Sequence, residues 1–221
     1  MSILNKKCNY IKKYCAENDI FFLKGAVEFP PEALAEVQQV FDEGYFVRHR
    51  GGESQGWLSA TLHGWGIDSP EYYRTMNPSG YGFTEDEVKY GWTEIAEIAP
   101  HTKKFLEDNF DVNRLRRCRF MLLEPGGYIK AHDDGKVRSI TSAINISITQ
   151  PENCYLRRAD TLLEVPFKPL QMFYYDNRVK HEAMNNSDLP RFHFIIHGFG
   201  GSKTQQLLID SFERDHGTIE L

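Results

Sequence analysis

The stretch Ser139-Ile140-Thr141-Ser142-Ala143-Ile144-Asn145-Ile146-Ser147-Ile148-Thr149 alternates along its whole length. Ile140, Ser142, Ile144, Ile146 and Ile148 fall on one side, mostly β-branched and apolar. Ser139, Thr141, Ala143, Asn145, Ser147 and Thr149 fall on the other, all small or polar. A period of two is the period of a strand, so the pattern describes a sheet with one face packed and the other lining a space. A small polar inner face suits a barrel that holds a charged ligand rather than one filled with apolar side chains.

Working outward, strand texture continues near residues 153–157, 161–165, 170–175, 179–184 and 191–198, with Gly, Asn, Asp and Pro between the runs. Short strands at this spacing predict a mainly β chain with flanking helices and a double-stranded β-helix core of the jelly-roll or cupin type. Just upstream of the alternating stretch lies Gly126-Gly127-Tyr128-Ile129-Lys130-Ala131-His132-Asp133-Asp134-Gly135. On a strand the side chains at i and i+2 share a face, so His132 and Asp134 aim at one point while Asp133 faces away. His181 follows the strand-like Met172-Phe173-Tyr174-Tyr175 and a turn at Asp176-Asn177, so two short antiparallel strands return it beside His132. Two histidines and one carboxylate form the face that leaves ferrous iron open positions. Arg191 comes ten residues after His181, beyond an Asn185-Asn186-Ser187-Asp188-Leu189-Pro190 turn, and its planar fork of donors suits a carboxylate.

The order His-x-Asp, distal His, then Arg resembles the Fe(II)/2-oxoglutarate-dependent oxygenases. The flanking text is similar to their aspartyl/asparaginyl β-hydroxylase-like branch: Glu124-Pro125-Gly126-Gly127, Gln150-Pro151-Glu152-Asn153-Cys154 and His181-Glu182-Ala183-Met184-Asn185-Asn186-Ser187. The resemblance covers roughly residues 114–198, with a fainter likeness at 56–65. It implies that His132, Asp134 and His181 ligate Fe(II), that Arg191 binds the distal carboxylate of 2-oxoglutarate, and that O2 is the oxidant. Asn145 sits near where the branch places a second co-substrate contact, and His193 shares the Arg191 face by alternation. Asp134 also marks a departure, because the hydroxylase that names the branch lacks the carboxylate ligand. That places this chain nearer to the free-amino-acid hydroxylases, such as proline hydroxylases. The implied reaction is hydroxylation of an unactivated C–H bond of an amino acid or peptide, with release of succinate and CO2. Two alternatives stand beside it: a cupin-like metal-dependent isomerase or lyase, which needs no Arg191, and a non-catalytic sensor that keeps the pocket.

With 221 residues, 41% hydrophobic and 13% aromatic, the chain suits a single domain. Residues 1–112 read as a helix-rich part with some strands, 113–200 as the jelly-roll core and 201–221 as a closing helix. Helices are expected over 3–18, from Pro30-Pro31 through Phe41 with Leu34, Val37, Gln38 and Phe41 on one side, after a capping box at Thr84-Glu85-Asp86-Glu87, and from Pro100. Strands are expected at 20–23, ended by Lys24-Gly25, at 45–50 and at 57–65. Loops near 49–56 and 66–83 are the candidate substrate selectors.

The net charge of −5 excludes a global pull toward nucleic acid or an anionic membrane, and no apolar run is long enough to span a bilayer. Cys8, Cys15, Cys118 and Cys154 form no CxxC pair, which with the absence of a signal-like N-terminus predicts a reducing, cytoplasmic setting. Oligomeric state is not encoded in any readable pattern. Arg114, Arg116, Arg117 and Arg119 read as the solvated start of a strand in preference to an anion-binding patch, and Arg138 as a turn cation. His49, His63, His101 and His216 read as ordinary residues, and Trp57, Tyr128 and Tyr174 as core or wall.

Overall fold

The computed structural model describes residues 2–49, 54–65, 76–135, 140, 143–198 and 200–221. In chain order the elements are α1 (Ile3–Glu17), β1 (Phe22–Glu28), α2 (Ala33–Asp42), β2 (Val47–Arg48), β3 (Gln55–Trp65), β4 (Tyr90–Trp92), α3 (Ile95–Ile98), α4 (Pro100–Asn109), β5 (Arg117–His132), β6 (Ala143–Ser147), β7 (Cys154–Arg158), β8 (Gln171–Tyr175), β9 (His181–Asn185), β10 (Arg191–His197) and α5 (Ser202–His216). Ser139, Thr141, Ser142, Arg138 and parts of both candidate selector loops (50–53 and 66–75) lie outside the described residues.

The fold is a mostly antiparallel double-stranded β-helix with flanking helices. One path of strands runs β1-β8-β6-β10-β5-β3-β2, with β4 on β3, while β7 and β9 continue from the second half of β5. The first half of β5 pairs with β10 and β3, and from Tyr128 onward it pairs with β9. The change of partner occurs at Pro125-Gly126-Gly127. Gly126 takes a positive φ of 71°, and a Cβ on Gly127 would come within 2.8 Å of the Glu124 carbonyl oxygen and 3.0 Å of that of Gln55. Only glycine fits a strand that turns this closely past its neighbour.

The alternation read from sequence has its expected result. Ile144 and Ile146 of β6 join Phe120, Leu122, Phe192 and Phe194 in a core covered by α1, α2, α4 and α5, and Asn145 faces the opposite way into a pocket. Strand β1 does not stop at Lys24-Gly25; it continues to Glu28. Gly25 marks the close approach of β8 instead, since a Cβ there would stand 2.3 Å from the Met172 methyl. The capping box at Thr84 forms, with the Glu87 carboxylate accepting from the Thr84 backbone N–H at 2.7 Å. It closes only one 3-10 turn, because Val88 is extended and leads into β4. The run at 161–165 makes a single bridge, Arg157 to Glu164, rather than a strand, and among the described residues of the 45–50 segment, 45–49, only Val47–Arg48 form a strand.

Helix α2 buries a different face from the expected one. Leu34 and Phe41 are exposed, whereas Ala33, Glu36, Val37 and Val40 are buried. The cause is Glu36, whose carboxylate accepts from the backbone N–H groups of His101 (2.6 Å) and Thr102 (3.0 Å) and from the Thr102 hydroxyl (2.6 Å). A buried anion thus satisfies the first turn of α4, where the helix dipole is positive and the N–H groups have no partner within the helix. Glu36→Ala is expected to destabilise the protein by about 2 kcal/mol, since it strands these donors; denaturant unfolding at unchanged m measures it.

Candidate metal centre

His132 is the last residue of β5 and His181 the first of β9, and the two are direct register partners. Their rings lie 4.5 Å apart. Asp134 lies just past the end of β5 rather than on it. It is brought back by Asn177, whose carbonyl accepts from the Asp134 N–H at 2.9 Å and whose side-chain amide donates to Asp134 Oδ2 at 2.7 Å. Ligand atoms of His132, Asp134 and His181 all lie within 4.8 Å of one another, with His132 Nε2 3.7 Å from Asp134 Oδ1.

The ring tautomers follow from the same hydrogen bonds. His132 Nδ1 is 2.8 Å from the Lys130 carbonyl and His181 Nδ1 is 2.9 Å from that of Val179. A carbonyl only accepts, so each Nδ1 carries the proton and each Nε2 presents its lone pair. Asn177 occupies one carboxylate oxygen of Asp134 and leaves the other. Two imidazoles with Nδ1 tied to carbonyls and Nε2 turned inward thus converge with one carboxylate oxygen, held from outside as metal ligands are. Burial, as the larger effect, and nearby His132 push the His181 pKa down, partly offset by the bond to Val179, so the ring is neutral at neutral pH. The Tyr175 hydroxyl lies 3.4 Å from His181 Nε2.

The pocket containing these residues also takes in Asn145, Arg191 and His193. Arg191 is 4% exposed, and burial pulls its pKa down to about 10, so it remains a cation at neutral pH. Its Nε donates to Gln150 Oε1 at 3.3 Å, while Nη2 is buried without a partner. Among the described residues no carboxylate pairs with it. Asn145 Nδ2 and His193 Nε2 are likewise buried and unpartnered. Burial first, and the Arg191 charge second, push the His193 pKa well below the usual histidine range. A buried cation and two neutral polar groups with open hydrogen-bonding capacity fit a carboxylate ligand.

Two expectations are corrected. Arg117 and Arg119 are not a solvated strand start: they are 6% and 2% exposed and line the pocket with Met121 and Leu123. Strand β5 runs between β3 and β10, so neither flank of its start is open. His49 is also more than an ordinary residue. It lines the same pocket, its Nδ1 lies 2.8 Å from the Ser59 hydroxyl, and Arg119 Nη1 donates to its Nε2 at 3.4 Å. Trp57 is a pocket wall as expected, its ring 4.2 Å from that of His49. His63 is buried against Trp92 and lies outside the pocket wall. Asn177 was missed because it reads as turn punctuation; an Asn in the turn before the distal histidine was the available signal.

Residues 31–199 match the aspartyl/asparaginyl β-hydroxylase family. The chain belongs to that family. The match reaches well upstream of the roughly 114–198 stretch that carries the resemblance and includes the 56–65 segment. Comparison with curated proteins gave no match. Among solved structures, an oxidoreductase of the 2OG-Fe(II) oxygenase family from Burkholderia pseudomallei is 10% identical, over 85% of this chain and 91% of that one, with a TM-score of 0.50. A Pseudomonas putida prolyl-4-hydroxylase is 15% identical over 87% of this chain and 98% of its own, with a TM-score of 0.46. A Trichoplax adhaerens prolyl hydroxylase is 8% identical over 92% and 93%, with a TM-score of 0.47. At these identities the likeness concerns the fold, which this β-hydroxylase family member shares with the first of them.

Buried histidines, two of them in the pocket, also set an acid limit on stability. His63, His181 and His193 all have folded pKa values lowered chiefly by burial. Between those values and the unfolded value of about 6.5 the unfolded chain binds more protons, so stability falls as pH drops through that window. Tm of the metal-free protein is expected to fall from pH 7.5 to about 5.5, above the range where carboxylates titrate. His193→Gln should flatten that slope in a calorimetric pH series.

Proposed function

We propose that the protein is an Fe(II)- and 2-oxoglutarate-dependent hydroxylase of a free amino acid or short peptide. The observation that carries this reading is the pairing of a three-ligand face with a buried, uncompensated Arg191 in one pocket. A cupin-like isomerase needs the ligands and has no use for such a cation. We read residues 1–221 as one oxygenase domain, with 113–200 carrying the site. All four cysteines are free and buried, which supports a reducing cytoplasmic setting. Among the described residues no helix is long and apolar enough to cross a membrane.

His132, Asp134 and His181 hold Fe(II), which with O2 and 2-oxoglutarate supplies the oxidising power that converts a C–H bond to an alcohol, releasing succinate and CO2. The remaining work belongs to the chain. The Lys130 and Val179 carbonyls keep both imidazoles in the metal-binding tautomer, and Asn177 aims Asp134. Arg191 binds the distal carboxylate of the co-substrate, and Asn145 and His193 offer neutral hydrogen-bond partners along it. His193 stays neutral next to that cation, so it completes the subsite without adding charge repulsion. Arg117 and Arg119 form a different part of the wall, where the substrate stands, and the loops at 49–56 and 66–83 select it.

Anaerobic absorption on addition of Fe(II) and then 2-oxoglutarate tests the reading. A charge-transfer band requiring both, absent in His181→Ala, is expected; bound iron without a band on adding 2-oxoglutarate removes it. His132→Ala or Asp134→Ala should abolish succinate release. Arg191→Ala should raise KM for 2-oxoglutarate about a hundredfold, corresponding to roughly 3 kcal/mol of charge-assisted pairing.

A further inference from the structure

The Arg191 guanidinium is aimed by a neighbour that the reaction itself does not require. Gln150 follows β6 and is half-buried. Its Nε2 donates to the Cys154 carbonyl at 2.7 Å. A carbonyl cannot donate, so this bond fixes the amide with Oε1 on the other side, where it accepts from Arg191 Nε at 3.3 Å. The Ser147 hydroxyl lies 3.1 Å from the same oxygen. The Cys154 segment is itself anchored: its thiol lies 2.8 Å from Asn185 Oδ1, and Asn185 Nδ2 donates to the carbonyls of Leu123 (2.9 Å) and Leu189 (2.8 Å). On the other side the guanidinium carbon stands 5.7 Å from the Phe167 ring centroid. Arg191 is therefore held at Nε and flanked by an aromatic ring, which leaves the buried Nη2 open.

We propose that Gln150 is the positioning residue that sets the preference for a 2-oxo acid with a distal carboxylate. The proposal rests on the reading of Arg191 as carboxylate anchor. A neutral acceptor at Nε orients the guanidinium and leaves its charge intact. A carboxylate in the same place would pair with it and act as a resident competitor to the co-substrate. Glutamine has the right length and no charge, so it aims the cation without neutralising it.

The test compares binding of 2-oxoglutarate with binding of 2-oxopentanoate, which has the same chain length and no distal carboxylate. Calorimetry on the Fe(II)-loaded, oxygen-free protein reads both for wild type, Gln150→Glu, Gln150→Met, Arg191→Met and the Gln150→Glu/Arg191→Met double variant. Wild type is expected to prefer 2-oxoglutarate strongly. Gln150→Glu should weaken 2-oxoglutarate about tenfold or more while 2-oxopentanoate changes less than about twofold. Gln150→Met should lose less, because it misaims the cation without neutralising it. With Arg191→Met already present, Gln150→Glu should have no selective effect. Equal weakening of both ligands, or none, in Gln150→Glu overturns the proposal, as does a selective effect that survives Arg191→Met. A wild type without preference for the distal carboxylate removes the Arg191 anchor itself, and the Gln150 proposal with it.

Discussion

Strand β5 changes partners part-way along its length, and the site exists because of the way it bends there. Up to Leu123 it is flanked by β3 and β10; beyond the Gly126-Gly127 bend it pairs with β9. The first half presents Arg117, Arg119, Met121 and Leu123 as pocket wall, and the second half delivers His132 opposite His181. Side chain and partner are thus fixed by register, which a one-residue slip would invert. Because both ring nitrogens that face away from the metal position are bonded to carbonyls two residues upstream, Lys130 and Val179, the two strand ends set ligand chemistry as well as position.

The pocket gathers buried polar groups that lack partners beside the candidate metal ligands. Elsewhere a buried charge such as Glu36 is fully met by donors. In the pocket, Arg191, Asn145 and His193 each keep a buried polar atom without a partner. Such groups cost stability, and native proteins concentrate them where a ligand completes them. The lowered pKa of Arg191 expresses the same cost, because burial disfavours its charged form. An anion that binds there relieves this cost, so ligand binding and folding stability are coupled through one guanidinium.

How much of this was legible in the sequence depends on the range of the interaction. The alternation around Asn145, the His132 and Asp134 spacing, the return of His181 and the position of Arg191 are local patterns, and all five residues face one pocket. The buried face of α2 was misread because hydrophobic periodicity scores Leu34 and Phe41 above Glu36, and nothing local announces that a carboxylate caps a helix more than sixty residues away. Arg117 and Arg119 were misread for a related reason: polar residues at a strand start look solvated until the neighbouring strands are known. His49 gains its role from Ser59 across a hairpin, and Asn177 from Asp134, 43 residues away in the chain.

Glutamine at position 150 ties these threads together. A residue that merely filled space beside Arg191 could be apolar, and one that merely stabilised the cation would be acidic. The amide does neither: it fixes direction through a bond to Cys154 and leaves the charge uncompensated. The net cost of burying an uncompensated cation is greater than that of burying an ion pair, so a chain selected for stability alone would not hold this arrangement. It is the arrangement expected where the missing counter-charge arrives with the ligand, and where the free energy of pairing contributes to binding rather than to the resting fold.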